Sequence, residues 1–389
     1  MKFRHQLSAY SPVGPGAIAD AVLASAGMRT GASAKLRQRL LARYEARAVL
    51  LCGSGTQALQ YAIEMLMRGA NGDGVVALPA FNCYDMASAA IGAGVRVALY
   101  DVDPETLAPD PASFEHVLAG GASAAVLACL YGVPFDRDAL AAIATRYGVP
   151  LIEDAAQGHG ASWRGLPLGA LGRTSLISFG RGKGWTGGNG GAVLQRDGDA
   201  AKPDSVNVAA PGIRTAIGLA AQWVLGRPSL YGFPRSIPSL ALGETVYHAP
   251  EAPAAMSEAS AAAALSNEAA SDAERQRRVA TALRFTERLA GTRARLIRVH
   301  SDARPGYIRF PVLLLDGVRS LPSRAIELGV SQSYPTTLAE LPELRKSLVT
   351  IEAAFPGADR LARELVTLPV HSLLHVGEQA EIIALLRDG

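Results

Sequence analysis

Three cysteines, Cys52, Cys83 and Cys129, are all that this 389-residue chain has. They are too few, and odd in number, for a disulfide framework, and none stands at metal-ligand spacing. That usage suits a reducing compartment, and a cytoplasmic location is expected. Charge is scarce as well: 19% of residues are charged and the net formal charge is +3. A nucleic-acid partner calls for a clustered basic face. The densest basic cluster, Arg275, Arg277 and Arg278, has Glu274 beside it and reads as one solvated face of a helix. The opening stretch MKFRHQLSAYSPVG lacks the apolar run of a signal peptide. The longest weakly charged apolar stretch, residues 215–226, is too short to span a bilayer.

Apolar residues are plentiful, at 49%, so a sizeable core can form. From about residue 47, short β-branched runs alternate with segments of helical period. AVLLC (48–52), VVALP (75–79), VRVALYDV (95–102), AAVLACLYG (124–132), VPLIED (149–154), TSLISFG (174–180) and GGAVL (190–194) read as strands. Ala58, Leu59, Ala62, Ile63 and Leu66 recur at helical spacing, and a further helix is expected over 138–147. Such alternation predicts an α/β fold with a mostly parallel central sheet flanked by helices. Residues 197–255 break the rhythm with prolines at 203, 211, 228, 234, 238, 250 and 253, and are expected to be an irregular crossing segment. Beyond it, a long Ala-rich helix to Leu289, a strand over 307–315, a short helix over 321–329 and a closing helix over 378–387 predict a smaller α+β domain. The expected division is a large domain over 1–250, with an N-terminal arm over 1–40, and a small C-terminal domain over 251–389.

The stretch SFGRGKGWTGGNGG (178–191) sets Lys183 among glycines. A phosphate-cradling P-loop needs a glycine five residues before the second glycine and a hydroxyl after the lysine. Ile177 and Gly184 stand at those places, so that reading fails. Ligands of open α/β sheets gather beyond the carboxyl ends of the strands. Lys183, Asp154 and the turn GSGT (53–56), which opens a helix, all stand just past strand ends. Free amides at a helix N-terminus make an anion cradle. A cradle, a carboxylate and a lysine are what pyridoxal phosphate requires: one holds its phosphate, one keeps its ring nitrogen protonated, and one bonds covalently and moves protons.

These residues also carry a resemblance. Ser54, Gly55, Thr56, Ala58 and Leu59 match an SGT-x-AL phosphate segment. Glu153 to Gln157 spell EDAAQ. Ser178, Phe179 and Lys183 match S-F-x-x-x-K, and residues 355–371, FPGADRLARELVTLPVH, match a stretch near the C-terminus. In that order and spacing they resemble the DegT/StrS family of pyridoxal-phosphate-dependent sugar aminotransferases. The likeness covers nearly the whole chain. It implies the aspartate aminotransferase type I fold, Lys183 as the Schiff-base lysine, Asp154 at the pyridine nitrogen and Gln157 against the ring's phenolic oxygen. Ser54, Gly55, Thr56 and Ser178 are then phosphate contacts. It further implies a homodimer, an amino donor such as glutamate, and a keto-sugar nucleotide or related carbonyl acceptor. A lyase or dehydratase on the same scaffold, a non-sugar acceptor, and a non-catalytic cofactor-binding regulator are the alternative readings.

Several positions depart from the family's spelling. Where it offers an aromatic residue to stack on the ring, PAFNCYD (79–85) places Cys83, with Tyr84 next to it. Gly184 replaces an asparagine after the lysine, and Asn189 stands in GGNGG. The N-x-R segment that reaches a partner subunit's phosphate is not found over 205–255. That region instead carries Trp223, Tyr231, Phe233 and Tyr247, and is expected either to pack on a partner subunit or to line an apolar substrate site or membrane surface. His159, Arg181 and Arg309 are further candidates, for acid–base work, for lowering the lysine pKa and for gripping an anion respectively.

Overall fold

The computed structural model describes residues 4–68, 74–197, 212–235, 237, 245–352 and 354–387. Seven strands form the central sheet: β1 (Ala48–Cys52), β2 (Val75–Pro79), β3 (Arg96–Tyr100), β4 (Ala124–Ala128), β5 (Leu151–Asp154), β6 (Thr174–Ser178) and β7 (Gly191–Gln195). Their spatial order is β1-β7-β6-β5-β4-β2-β3, and only β7 runs against its neighbours. The carboxyl ends of β1, β2, β4, β5 and β6 therefore share one edge. All seven strands stand where the apolar runs place them, within two residues at each end except that β4 stops at Ala128, four residues short of the expected end at Gly132.

Side-chain alternation divides the sheet between two cores. Along β2, Val75 and Ala77 face one and Val76 and Leu78 the other. The first core takes α1 (Pro15–Ser25), α2 (Ala32–Arg43), α5 (Pro111–Ala119) and α6 (Arg137–Arg146); the second takes α3 (Gly55–Leu66) and α4 (Asp85–Gly92). The two helices of the N-terminal stretch lie against the long helix α9 (Glu258–Leu289).

Between sheet and α9 the structure differs from the irregular crossing expected over 197–255. It holds α7 (Gly212–Leu225) and α8 (Pro228–Arg235). The reason lies in where the proline falls. Pro228 is the first residue of α8, where a missing N–H costs nothing and the fixed φ favours the turn. Pro203, Pro211 and Pro238 lie outside the described residues.

The last third is built on a four-stranded antiparallel sheet of β8 (Arg295–Leu296), β9 (Phe310–Leu313), β10 (Ser331–Gln332) and β11 (Leu365–Leu368), in the order β8-β9-β11-β10. Helices α10 (Ser323–Glu327), α11 (Pro356–Glu364) and α12 (Val376–Arg387) accompany it. Helix α9 runs unbroken through both parts: Ala261 to Ala264 belong to the first core, while Ala282, Phe285 and Leu289 belong to the core under the small sheet. Among the described residues no helix is long and apolar enough to cross a membrane.

Candidate active site

At the shared strand edge lies a cavity of about 750 Å³. Ser54, Gly55, Thr56, Cys83, Asp154, Gln157, Ser178 and Lys183 all line it, brought together from four separate strand ends. Tyr84 is not among the lining residues. Its ring is buried in the second core, and its hydroxyl meets Thr336 Oγ1 at 2.6 Å and accepts from the Thr336 amide at 3.1 Å. Of the two neighbours at the stacking position, Cys83 faces the cavity, and burial pushes its thiol up to about 12.

The cradle is local chemistry. Ser54 caps α3, its Oγ accepting from the Gln57 amide at 3.1 Å. The Gly55 and Thr56 amides that follow find no acceptor among the described residues, so the positive end of the helix dipole opens on the cavity. Gly55 has no room for a side chain, because a Cβ there would stand 2.7 Å from Ser178 Oγ. That absence lets β6 bring Ser178 against the helix start.

Strand alternation assigns the two carboxylates of EDAAQ to different work. Glu153 points away from the cavity. Its carboxylate accepts from the amides of Gly169 (2.7 Å), Leu171 (2.9 Å) and Gly172 (2.9 Å) and from Ser175 Oγ (2.8 Å), pinning the loop that leads into β6. Asp154, one residue on, faces the cavity. Oδ1 accepts from the Ala156 amide at 2.9 Å, and Oδ2 has no donor among the described residues. Burial raises the Asp154 carboxyl, while the Ala156 N–H and the Lys183 ammonium pull it back down. An incoming cation at Oδ2 would complete it. Gln157 is fixed at both ends of its amide: Oε1 accepts from the Tyr131 N–H at 2.9 Å, and Nε2 donates to Tyr334 Oη at 3.0 Å. Tyr131 holds that amide in place from a left-handed conformation, φ 56°, unusual for a bulky residue.

The lysine loop rests on a buried polar support. Gly182 and Gly184 both have positive φ, 75° and 85°, so the chain turns sharply on either side of Lys183. Behind Gly184 lie His159 and Arg278, each about 3.0 Å from where a Cβ would project. A side chain there would press on both from a strained backbone, which favours glycine where the family spelling has asparagine. Trp185 donates from Nε1 to the Ala264 carbonyl at 2.7 Å, and the Gly184 amide donates to Ser11 Oγ at 3.0 Å. His159 itself is outside the cavity, its Nε2 3.3 Å from Asp272 Oδ1. Its ring packs against the end of this loop, 6.1 Å from the Trp185 ring.

A profile of the DegT/DnrJ/EryC1/StrS aminotransferase family matches residues 17–387. The chain belongs to that family. Among curated relatives, L-glutamine:2-deoxy-scyllo-inosose aminotransferase of Streptomyces lividus is 38% identical over 179 residues, 45% of this chain and 42% of that protein. The aligned stretch is thus under half of that relative's length. Among solved structures, AtS13 from Actinomadura melliaura superposes with a TM-score of 0.77 over 99% of each chain at 22% identity. Spr1654 from Streptococcus pneumoniae, in its PLP form, gives a TM-score of 0.73 over 97% of each chain at 16% identity. These two likenesses establish the fold, that of the type I aminotransferases.

Several lining residues carry no motif. Asp85 and Met86 enter from the start of α4, and Val246 and His248 from the far end of the 197–255 region. Arg181 and Asn189 complete the wall beside Lys183. Trp223 does not line the cavity; it stands part-exposed on α7, with the Arg227 guanidinium 4.6 Å over its ring. Apart from His248, no aromatic ring among the described residues reaches the cavity surface.

Proposed function

We propose that the chain is a pyridoxal-phosphate-dependent aminotransferase that moves an amino group from an amino acid to the ketone of a sugar or cyclitol. The observation that supports it most is the convergence of Lys183, Asp154 with one oxygen open, and an unfilled helix N-terminus in one cavity. The fit to the cofactor is specific in charge: a dianion suits the Gly55 and Thr56 amides, and a protonated ring nitrogen suits the buried Asp154 carboxylate. When bound, pyridoxal phosphate supplies an electron sink for cleaving the bond between the donor's α-carbon and its hydrogen.

The residues then divide the labour. Ser178 and the start of α3 anchor the phosphate. Asp154 holds a proton at the ring nitrogen, and its own carboxyl stays ionised through that contact. Gln157, immobilised by Tyr131 and Tyr334, presents its remaining N–H toward the ring's phenolic oxygen. Lys183 would hold the cofactor covalently, and its amine, left free to swing by the glycines beside it, would carry a proton at the reacting carbon in each direction of the transfer. The donor is glutamate or, by analogy with the named relative, glutamine. The chain is expected to work as a homodimer in the cytoplasm.

An absorbance titration tests this reading. The loaded protein should show the lysine-bound cofactor band, and L-glutamate or L-glutamine should convert it to the amine form. A band that no amino donor moves would favour the lyase reading, and a chain that takes up no pyridoxal phosphate would falsify the cofactor assignment itself.

A further inference from the structure

Behind the lysine loop lies a buried cation. Arg278, on α9, is 0% exposed. Its Nε donates to the Gly306 carbonyl at 3.3 Å and its Nη2 to the His159 carbonyl at 3.3 Å, with His159 Nδ1 3.4 Å from the same nitrogen. Nη1 has no acceptor among the described residues, and it stands 3.0 Å from where a Cβ on Gly184 would project. No carboxylate among the described residues pairs with this guanidinium. Glu274, one turn earlier on α9, accepts instead from the Ser372 amide at 2.8 Å. Burial pulls the guanidinium down to about 10, so it is still charged at neutral pH. An enclosed charge with no ion partner costs free energy that an apolar side chain of similar volume would avoid. Filling space is therefore not a sufficient reason for it.

The guanidinium is also aimed. His159 Nε2 stands 3.3 Å from Asp272 Oδ1, which leaves Nδ1 as the acceptor that faces Arg278. Asp272 in turn takes both arms of the Arg43 guanidinium, Nη1 at 3.1 Å and Nη2 at 2.8 Å. The contacts run from the end of α2 through α9 to the turn after β5, and finish at Gly184, next to Lys183. The two carbonyl anchors come from both halves of the chain: His159 follows β5 of the large sheet, and Gly306 leads into β9 of the small one. Arg278, His159 and Asp272 all stay outside the cavity.

We infer that Arg278 is a positioning residue for Lys183: its guanidinium, aimed by His159, Asp272 and Arg43, backs the loop at Gly184 and fixes where the lysine amine stands in the cavity. This rests on the function proposed above and adds to it a device that neither cofactor nor substrate touches. Gly182 and Gly184 allow the sharp turn, and glycine by itself leaves such a turn many conformations. A fixed group pressed on Gly184 and held from both halves removes that freedom.

The test uses the protein loaded with pyridoxal phosphate. It reads cofactor affinity by equilibrium dialysis, visible circular dichroism of the lysine-bound band per loaded chain, and the L-glutamate half-reaction by stopped flow. Arg278→Met should keep cofactor affinity within about twofold and leave half-saturating L-glutamate unchanged. It should slow the limiting rate by about 10–10²-fold, as misplacement of a reacting group does, and reduce the dichroic signal. Arg278→Lys, which restores the charge without the fork, should recover part of both. A loaded Arg278→Met with unchanged dichroism and rate overturns the inference. So does Arg278→Lys performing no better than Arg278→Met. Weaker L-glutamate saturation at an unchanged limiting rate assigns Arg278 to donor binding and overturns it likewise. Should Arg278→Met fail to fold, Asp272→Asn at its half-buried position carries the test: it loosens the aim of His159 and should give a smaller loss of rate and dichroism, and no loss overturns the inference. A chain that takes up no cofactor overturns both proposals, and dialysis of the unaltered protein shows that first.

Discussion

The two sides of the cavity are built differently. The cofactor side stands on strand ends: Ser54 to Thr56 after β1, Asp154 to Gln157 after β5, and Ser178 to Lys183 after β6. Each is tied to the backbone by short hydrogen bonds and backed by a core. The outer side includes Arg181, Val246 and His248, drawn from a loop and an extended segment. Its polar groups meet few fixed partners. Under the proposed function, the difference teaches that cofactor chemistry calls for preorganised geometry, whereas acceptor choice falls to peripheral elements that can be respelled without disturbing the sheet.

Five measurements would break or sharpen that contrast. The largest effect is expected on the cofactor side. Lys183→Ala should cut donor turnover by at least about 10³-fold, while the protein still takes up pyridoxal phosphate without the lysine-bound band; absorbance and turnover together check it. Asp154→Asn should lower kcat by about 10²–10³-fold, with the fold preserved because an amide oxygen still accepts from Ala156. Stopped-flow measurement of the donor half-reaction would show this, and near-normal rates would remove Asp154 from the ring nitrogen. Ser178→Ala should weaken cofactor affinity by roughly tenfold, read by equilibrium dialysis.

Next comes the support behind the lysine loop. Burial lowers both His159 and His371, so the folded state disfavours their protonated forms. Stability from these groups is fully present above their ordinary value of 6.5 and is lost as pH falls below it toward the depressed folded values. Urea midpoints should therefore decline below that pH, at up to about 1.4 kcal/mol per pH unit for each histidine. His371→Gln, whose Nε2 replaces the donor to the Leu7 carbonyl, should flatten part of that slope. A slope untouched by this change would place the acid sensitivity elsewhere. The smallest effect belongs to Trp223→Ala, away from the cavity: kcat/KM should change by less than about twofold, as surface substitutions generally do. A large shift in acceptor preference would return α7 to the substrate site.

How legible this was in the sequence follows the same division. Strand runs and the cofactor motifs are local: short apolar runs place β1 to β7, and Lys183, Asp154 and the GSGT turn each mark a strand end. Glu153 was spelled out in EDAAQ, yet its work was hidden, because its four donors come from residues 169–175. The same holds for Arg278 and His159 behind Gly184, which only tertiary structure brings together. Counting put Cys83 at the stacking position with Tyr84 as its neighbour, and the two diverge in the structure, Cys83 to the cavity wall and Tyr84 to the core. The proline-rich look of 197–255 misled for another reason. A proline that opens a helix and one that breaks it are the same letter.

Helix α9 carries a mechanical consequence. It is one rod, 32 residues long, with its first turns gripped by the large sheet's packing and its last turns by the small sheet's. A hinge needs a compliant joint, and this connection has none along its length. Swinging the small sheet away from the cavity would mean uprooting one end of the rod from a packed interior. What can shift without disturbing that frame is the stretch of chain outside it that borders the cavity, around Val246 and His248.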